Sequence, residues 1–370
     1  MSRSRAATRC AALGVLTFSL ALGACGDDSP NDAEFNPTGM SADIQAMGSA
    51  YESGTADSYG AAIDAIDGTV GAPALMAPSF RLLRTLPRNG ELGALASSSA
   101  KQIEAMKELF SRASASNLMS IVIPEEVRGT TFEYNVTSDQ YEPTARTGAP
   151  TTGIRFVLYA VNPVTGVIVE PLNEIGYVDA IDQSSASTDA VRFLVVSGST
   201  TYFDYGVAFT ATATGGTVGV DGFVSNGTTR VNHDITITAS EANNGTVNAE
   251  FELDVPSRSF SLDYTLDAVN ANTANVTLNY DLTARGENGR IGLVGGGTED
   301  DENATFTVNG EPFAVFSSDG TTATITRPDG TPLSAEEAQA AGLVYAVLFF
   351  GLSLFLALIA PVASVLPPIL

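Results

Sequence analysis

His233, Cys10 and Cys25 are the only imidazole and thiol groups in this chain. A structural zinc site of the His/Cys kind needs four such ligands and a catalytic one usually three, so the count excludes it. Nucleophilic catalysis would need His233 beside a hydroxyl nucleophile, with a third group orienting the ring. His233 lies in Val231-Asn-His-Asp-Ile-Thr-Ile237, in phase with Val231, Ile235 and Ile237. It reads as a core or edge histidine with a hydrogen-bond partner. No G-x-S-x-G nucleophile elbow is present. Thr298-Glu-Asp-Asp-Glu-Asn303 offers oxygen ligands for Ca²⁺, but its spacing matches no EF-hand loop. It reads as a solvated acidic loop. Gly289, Gly292, Gly295, Gly296 and Gly297 lack both the Gly-Lys-Ser/Thr of a phosphate-binding loop and the helix that follows a dinucleotide fingerprint. They read as a flexible connection or a bulged strand. Glu250, Glu252, Asp254 and Asp263 alternate outward along their runs, and no pair reads as acid and base. These residues point to no catalytic, metal or cofactor site, and the expectation is a protein that is not an enzyme.

Charge narrows the partners. The chain has 370 residues and a formal net charge of −24, and Lys101 and Lys107 are its only lysines. Such a surface repels nucleic acid phosphates and gives no broad adhesion to anionic lipid. The length allows one large domain or two modest ones.

The basic start, with Arg3, Arg5 and Arg9, is followed by an apolar run from Cys10 to Leu22. That run is too short to span a bilayer comfortably and has the layout of a secretory signal. It ends in Leu22-Gly23-Ala24-Cys25. This ending resembles the lipobox of bacterial lipoproteins: Leu at −3, small residues at −2 and −1, then the cysteine. The resemblance covers the leader alone. It implies cleavage before Cys25, a diacylglycerol on the Cys25 sulfur and an acylated new N-terminus. Residues 1–24 are then a signal peptide, and Cys25 is the lipidation site that attaches the protein to a membrane of the bacterial cell envelope. Gly26 stands where an Asp would resemble an inner-membrane retention signal, which favours the outer membrane. Several acyl chains anchor stably where one does not. Cys25 would be the only cysteine of the mature chain, so no internal disulfide forms although the compartment permits one.

The elements come next. Residues 25–38 are polar and rich in Asp, Asn and Pro, and read as a flexible tether. Residues 39–123 form a weakly helical region, its best segment being Ser99–Phe110, with Ile103, Met106, Leu109 and Phe110 on one face. The small-residue helices of this region promise little apolar cover. Arg81-Leu-Leu-Arg-Thr-Leu-Pro-Arg88 reads as arginines paired with acidic groups of the same domain. Over 124–330 the period becomes two, as in Val247, Ala249, Phe251, Leu253 and Val255. Asn226-Gly227, Asn244-Gly245, Asn309-Gly310 and similar pairs separate the runs, which predicts antiparallel neighbours with one solvated face.

Residues 331–370 hold the apolar segment Ala341–Ala360 and an apolar tail. Its length and composition suit a membrane span. No Lys or Arg follows Arg327, however, and a large sheet needs an apolar filler. Ser334-Ala-Glu-Glu337 has the form of a capping box at its start. The expected architecture is mainly β with helical segments (α+β). A large curved antiparallel sheet or half-barrel packs against the apolar C-terminal helix, with the weakly helical region before it. The expected role is a lipid-anchored, non-enzymatic envelope protein that binds an apolar small molecule or lipid between sheet and helix. The alternatives are a structural or interaction lipoprotein with a filled core, and a protein that spans the membrane through 341–360.

Overall fold

The computed structural model describes residues 33–70, 123–271, 276–298, 301–320 and 322–365. Cys25, the leader, the first part of the tether, Arg81–Arg88 and Ser99–Phe110 lie outside the described residues. The strands are β1 (Thr131–Asn135), β2 (Gln140–Thr144), β3 (Gly153–Tyr159), β4 (Glu174–Asp182), β5 (Asp189–Ser197), β6 (Thr200–Thr212), β7 (Gly215–Ser225), β8 (Arg230–Ser240), β9 (Thr246–Val255), β10 (Phe260–Val269), β11 (Thr277–Gly286), β12 (Gly289–Thr298), β13 (Asp301–Val308), β14 (Glu311–Ser318) and β15 (Ala323–Thr326). They form one 15-stranded sheet in chain order from β15 back to β3, ending β3-β1-β2. The helices with described positions are α1 (Pro37–Ser49), α2 (Gly54–Val70) and α3 (Ala335–Val365).

Alternation decides which side of the sheet is covered. In β9 and β10, Ala249, Phe251 and Leu253 stand opposite Leu266, Tyr264 and Leu262 on the buried face. Glu250, Glu252 and Asp254 stand on the other face beside Thr265, Asp263 and Ser261. The expected antiparallel order holds at every link but one: β1 pairs with β3 in parallel, through Thr131 with Arg155 and Phe132 with Phe156. The chain leaves β2 and passes through 145–152 before re-entering the sheet beyond β1, and no short turn announces that crossover. β2 is an edge strand and tolerates Pro143, which cannot donate to a ladder. The sheet is open, with β15 and β2 as its two edges.

The glycine run is a full strand, not a flexible connection. β12 pairs along its length with β11 and β13. A Cβ at Gly295 would fall 2.3 Å from the Ala304 Cβ on β13, so close strand approach requires the missing side chain.

The sheet curves around α3. Tyr345 of α3 touches β11, β13 and β14 through Tyr280, Glu302 and Phe316. Gly351, six residues or about 9 Å further along the helix, meets Phe251 and Tyr264 of β9 and β10. Those strands would lie roughly 17 Å from β13 and β14 in a flat sheet. Curvature closes the gap. From Ala340 to Val362 no residue of α3 is exposed. Its start is the predicted capping box: the Ser334 Oγ accepts from the Glu337 N–H at 3.2 Å, and the Glu337 carboxylate accepts from the Ser334 N–H at 2.8 Å.

The N-terminal helices bury more apolar surface than their small residues suggest, α1 against α3 and α2 against α3, β2 and β3. Asn36 caps α1 by accepting from the Gly39 N–H at 3.0 Å, and Pro37 opens it. Met40, Ile44 and Met47 recur on one face of α1 and are fully buried; Tyr59, Ile63 and Ile66 do the same in α2. The positions are few, but the side chains are large.

The seat of α3 on the sheet is testable. A Cβ at Gly351 would lie 1.5 Å from the Tyr264 Oη and 3.1 Å from Phe251. Tyr264 cannot swing aside, because its ring stacks on Phe251 at 4.3 Å. Gly351→Ala is expected to cost about 2–3 kcal/mol in urea unfolding. Introducing it into Tyr264→Phe should cost less, since the clashing oxygen is gone. Equal costs in the two backgrounds would mean that the helix does not sit on Tyr264.

Candidate functional site: a polar seam and a rim cleft

The strand connections alternate between two rims. One rim holds the loop 160–173 and the turns at 198–199, 226–229, 256–259, 287–288 and 309–310. α1 runs along it. Asn36 N–H donates to the Asn288 carbonyl at 3.0 Å. Arg258 pairs with Asp43 at 3.1 Å, and the Asn226 Nδ2 donates to the Ser49 carbonyl at 2.9 Å. This is the entry rim; the far rim carries the connections between the other strand ends.

Beneath α1 and α2 the inner face holds a seam of polar groups among the apolar ones. The Tyr59 and Tyr205 hydroxyls are 2.8 Å apart. The Tyr205 ring lies 6.3 Å from the His233 ring, centroid to centroid. His233 is only 4% exposed, and among the described residues neither ring nitrogen has a hydrogen-bond partner. Burial alone holds its pKa down to about 3, so the ring is neutral at pH 7. The predicted inward phase is observed; the expected hydrogen-bond partner is not. Among the described residues no serine or carboxylate hydrogen-bonds to the ring, as a general base would require. The buried Tyr51 and Tyr264 hydroxyls likewise have no partner among the described residues.

A second polar cluster ties α3 to the sheet. Glu302 stands on the inner face of β13, in phase with buried Ala304 and Phe306. The Tyr280 hydroxyl donates to its carboxylate at 2.6 Å, and the Tyr345 hydroxyl lies 2.8 Å from both carboxylate oxygens. Burial, then the Glu302 charge, pushes both tyrosine pKa values well above the ordinary range. Hydrogen bonds to an ionised acceptor are among the strong ones. The cluster is a clamp between β11, β13 and α3, and among the described residues no basic group bonds to Glu302 to complete an acid–base pair. It also revises the acidic loop predicted at 298–303: Glu302 points inward, while residues 299–300 lie outside the described residues. Among the described residues no three His, Cys, Asp or Glu side chains converge to hold a metal ion.

Among the described residues, two hollows open to solvent stand out. A cleft of about 590 Å³ lies at the entry rim, bounded by Ser53, Ser58, Ser197, Tyr202 and Asn226. Ser53 caps α2 there, its Oγ accepting from the Ala56 N–H at 3.0 Å. The second hollow, also about 590 Å³, lies on the outer face over Gly206. Arg192 makes a two-pronged pair with Asp204 at 2.6 and 2.7 Å, and Arg230 sits 3.6 Å over the Phe223 ring. Beside it the register sets Asp221, Asp234, Glu252 and Asp263 directly opposite one another on four successive strands. Facing like charges cost stability. None of these four is fully buried, so water screens them.

Sequence reasoning placed His233 and the outward carboxylates on their observed faces. It missed the Tyr51, Tyr59, Tyr205, Tyr264 and Glu302 groups. Inward phase with apolar neighbours was the available signal for Tyr205, Tyr264 and Glu302; the helical tyrosines become part of the seam only through tertiary packing. No family model matches the chain, and no curated protein or solved structure is significantly similar to it.

Proposed function

We propose that this protein is a lipid-anchored, non-enzymatic protein of the bacterial cell envelope, held to the outer membrane by acylated Cys25 and serving as a structural or interaction scaffold. The observation that carries this reading is the burial of α3. A helix with the length and hydropathy of a membrane span is enclosed by its own chain from Ala340 to Val362, which supports leaving attachment to Cys25. The alternative of a lipid or other apolar ligand between sheet and helix requires space along α3. Gly351 against Tyr264, and Phe316 against Tyr345 at 4.4 Å, instead support a filled core there.

The test replaces Cys25 by alanine behind a conventional cleavable leader and fractionates the exported protein. It is expected in the soluble fraction, whereas the unmodified chain partitions with membranes. Retention of the Cys25→Ala protein after alkaline washing would sink the reading and return 341–360 to the bilayer. Solvent extraction of the purified protein addresses the ligand alternative: stoichiometric lipid beyond the acyl chains on Cys25 would favour it over the scaffold.

A further inference from the structure

Five of the seven large apolar side chains that the described residues expose are Val136, Val164, Val167, Val169 and Leu172. All five belong to the entry rim. β3 runs toward this rim and β4 away from it, so loop 160–173 projects there. The parallel pairing of β1 with β3 brings the turn after β1, with Val136, to the same end. Val164 and Val167 are the extremes, 84% and 62% exposed. Isolated exposed valines need no explanation, but a cluster on one projecting loop marks a contact surface.

The chain enters at this same rim. The Asn309 Nδ2 donates to the Ala33 carbonyl at 3.0 Å, and Asn36 binds Asn288; residues 288 and 309 are rim turns. Ala33 follows Cys25 by eight residues, which span at most about 29 Å when fully extended. Charge does not single out this rim: Arg230, Arg258, Arg285, Arg290 and Arg327 lie at or next to it, but so do Asp139, Glu170, Glu174, Asp254, Glu287, Glu311 and Asp329. The far turns and strand ends carry Asp182, Asp189, Glu241, Asp301 and Asp319. Arg128 is there too, paired with Asp182 at 2.9 Å.

We propose that the entry rim lies on the bilayer, with Val164 and Val167 in the boundary between headgroups and acyl chains. This rests on the reading of Cys25 as the lipid anchor, and it adds an orientation: the acidic far rim points away from the membrane. A short tether and an apolar loop suit a lipid surface.

The chain contains no tryptophan, so one introduced indole reports its own surroundings. The full-length protein is prepared with Val164→Trp, or with Val269→Trp at the far rim as the control, and bound to phosphatidylcholine vesicles with or without brominated acyl chains. Both positions are exposed and should accept the ring. The Val164→Trp emission is expected to shift to the blue and to be roughly halved by brominated lipid, as insertion to acyl depth requires, with Val269→Trp unchanged. No quenching at residue 164 in vesicle-bound protein would overturn the orientation while leaving the anchor standing. A blue shift without quenching would also overturn it, because the loop would then be covered by protein. Intact mass, read separately, decides the acylation of Cys25. If Cys25 carries no acyl chain, quenching on simple mixing with vesicles still supports the rim contact, and absence of quenching sinks it.

Discussion

Raising the pH should unfold this protein abruptly above about pH 10, and its seven buried tyrosines should ionise in that same step instead of beforehand. Tyr51, Tyr59, Tyr141, Tyr205, Tyr264, Tyr280 and Tyr345 are all buried, and burial is the leading cause raising each pKa above the ordinary value near 10. At Tyr280 and Tyr345 the charge of Glu302 adds to it. A raised folded pKa contributes stability that is fully present below the unfolded value. Above about pH 10 the unfolded chain gives up these protons and the folded chain keeps them, so stability falls as pH rises. Each such group contributes about 1.4 kcal/mol per pH unit. Seven together give a slope on the order of 10 kcal/mol per unit, which is comparable to the whole stability of a typical domain.

The measurement is tyrosinate absorbance near 295 nm followed alongside circular dichroism; no tryptophan interferes. Tyr134 and Tyr159, pushed up to about 12, and the seven buried tyrosines should all appear only with the loss of β-sheet signal. The seven titrating smoothly, with the sheet intact, would mean that water reaches the seam beneath α1 and α2.

The tyrosines also show where the sequence is legible. Alternation over 246–269 identifies the inner face of β9 and β10 residue by residue, because each strand has one solvated side. The Ser334–Glu337 box marks the start of α3, because capping is local. β12 is different. Glycine contributes nothing to a hydrophobic period, and Gly295 is explained only by Ala304 on the neighbouring strand. The parallel link of β1 to β3 depends on a crossover whose turn residues, Gly148 and Pro150, mark a break in the strand but not which neighbour the chain rejoins. Glu302 reads as one acid among several at 298–303 until its phase with Ala304 and Phe306 is given more weight than its neighbours in sequence. Cover by α1 and α2 was underestimated for a related reason. Composition averages over a helix, while packing uses only the face that holds Met40, Ile44 and Met47.

His233 should make the protein acid-sensitive in a way that one substitution removes. With a folded pKa near 3, set by burial, against about 6.5 in the unfolded chain, it is a group whose folded pKa is depressed. Its contribution is present above about pH 6.5 and is lost as pH falls toward 3, because only the unfolded chain then takes up the proton. The loss is about 1.4 kcal/mol per pH unit, or roughly 2 kcal/mol between pH 7 and pH 5. His233→Leu keeps an apolar side chain of similar size between Gly222 and Leu253, its register partners on β7 and β8's other neighbour β9. It also removes two buried nitrogens that have no hydrogen-bond partner. At pH 7 the substitution is therefore expected to be neutral or stabilising by about 1 kcal/mol. At pH 5 the advantage over the unsubstituted protein should widen by the further 2 kcal/mol. Carboxylate protonation is common to both proteins and cancels in the difference between their urea unfolding free energies. A difference that stays constant from pH 7 to pH 5 would mean that the ring already carries its proton in the fold, with a partner for it along the seam that Tyr59 and Tyr205 begin.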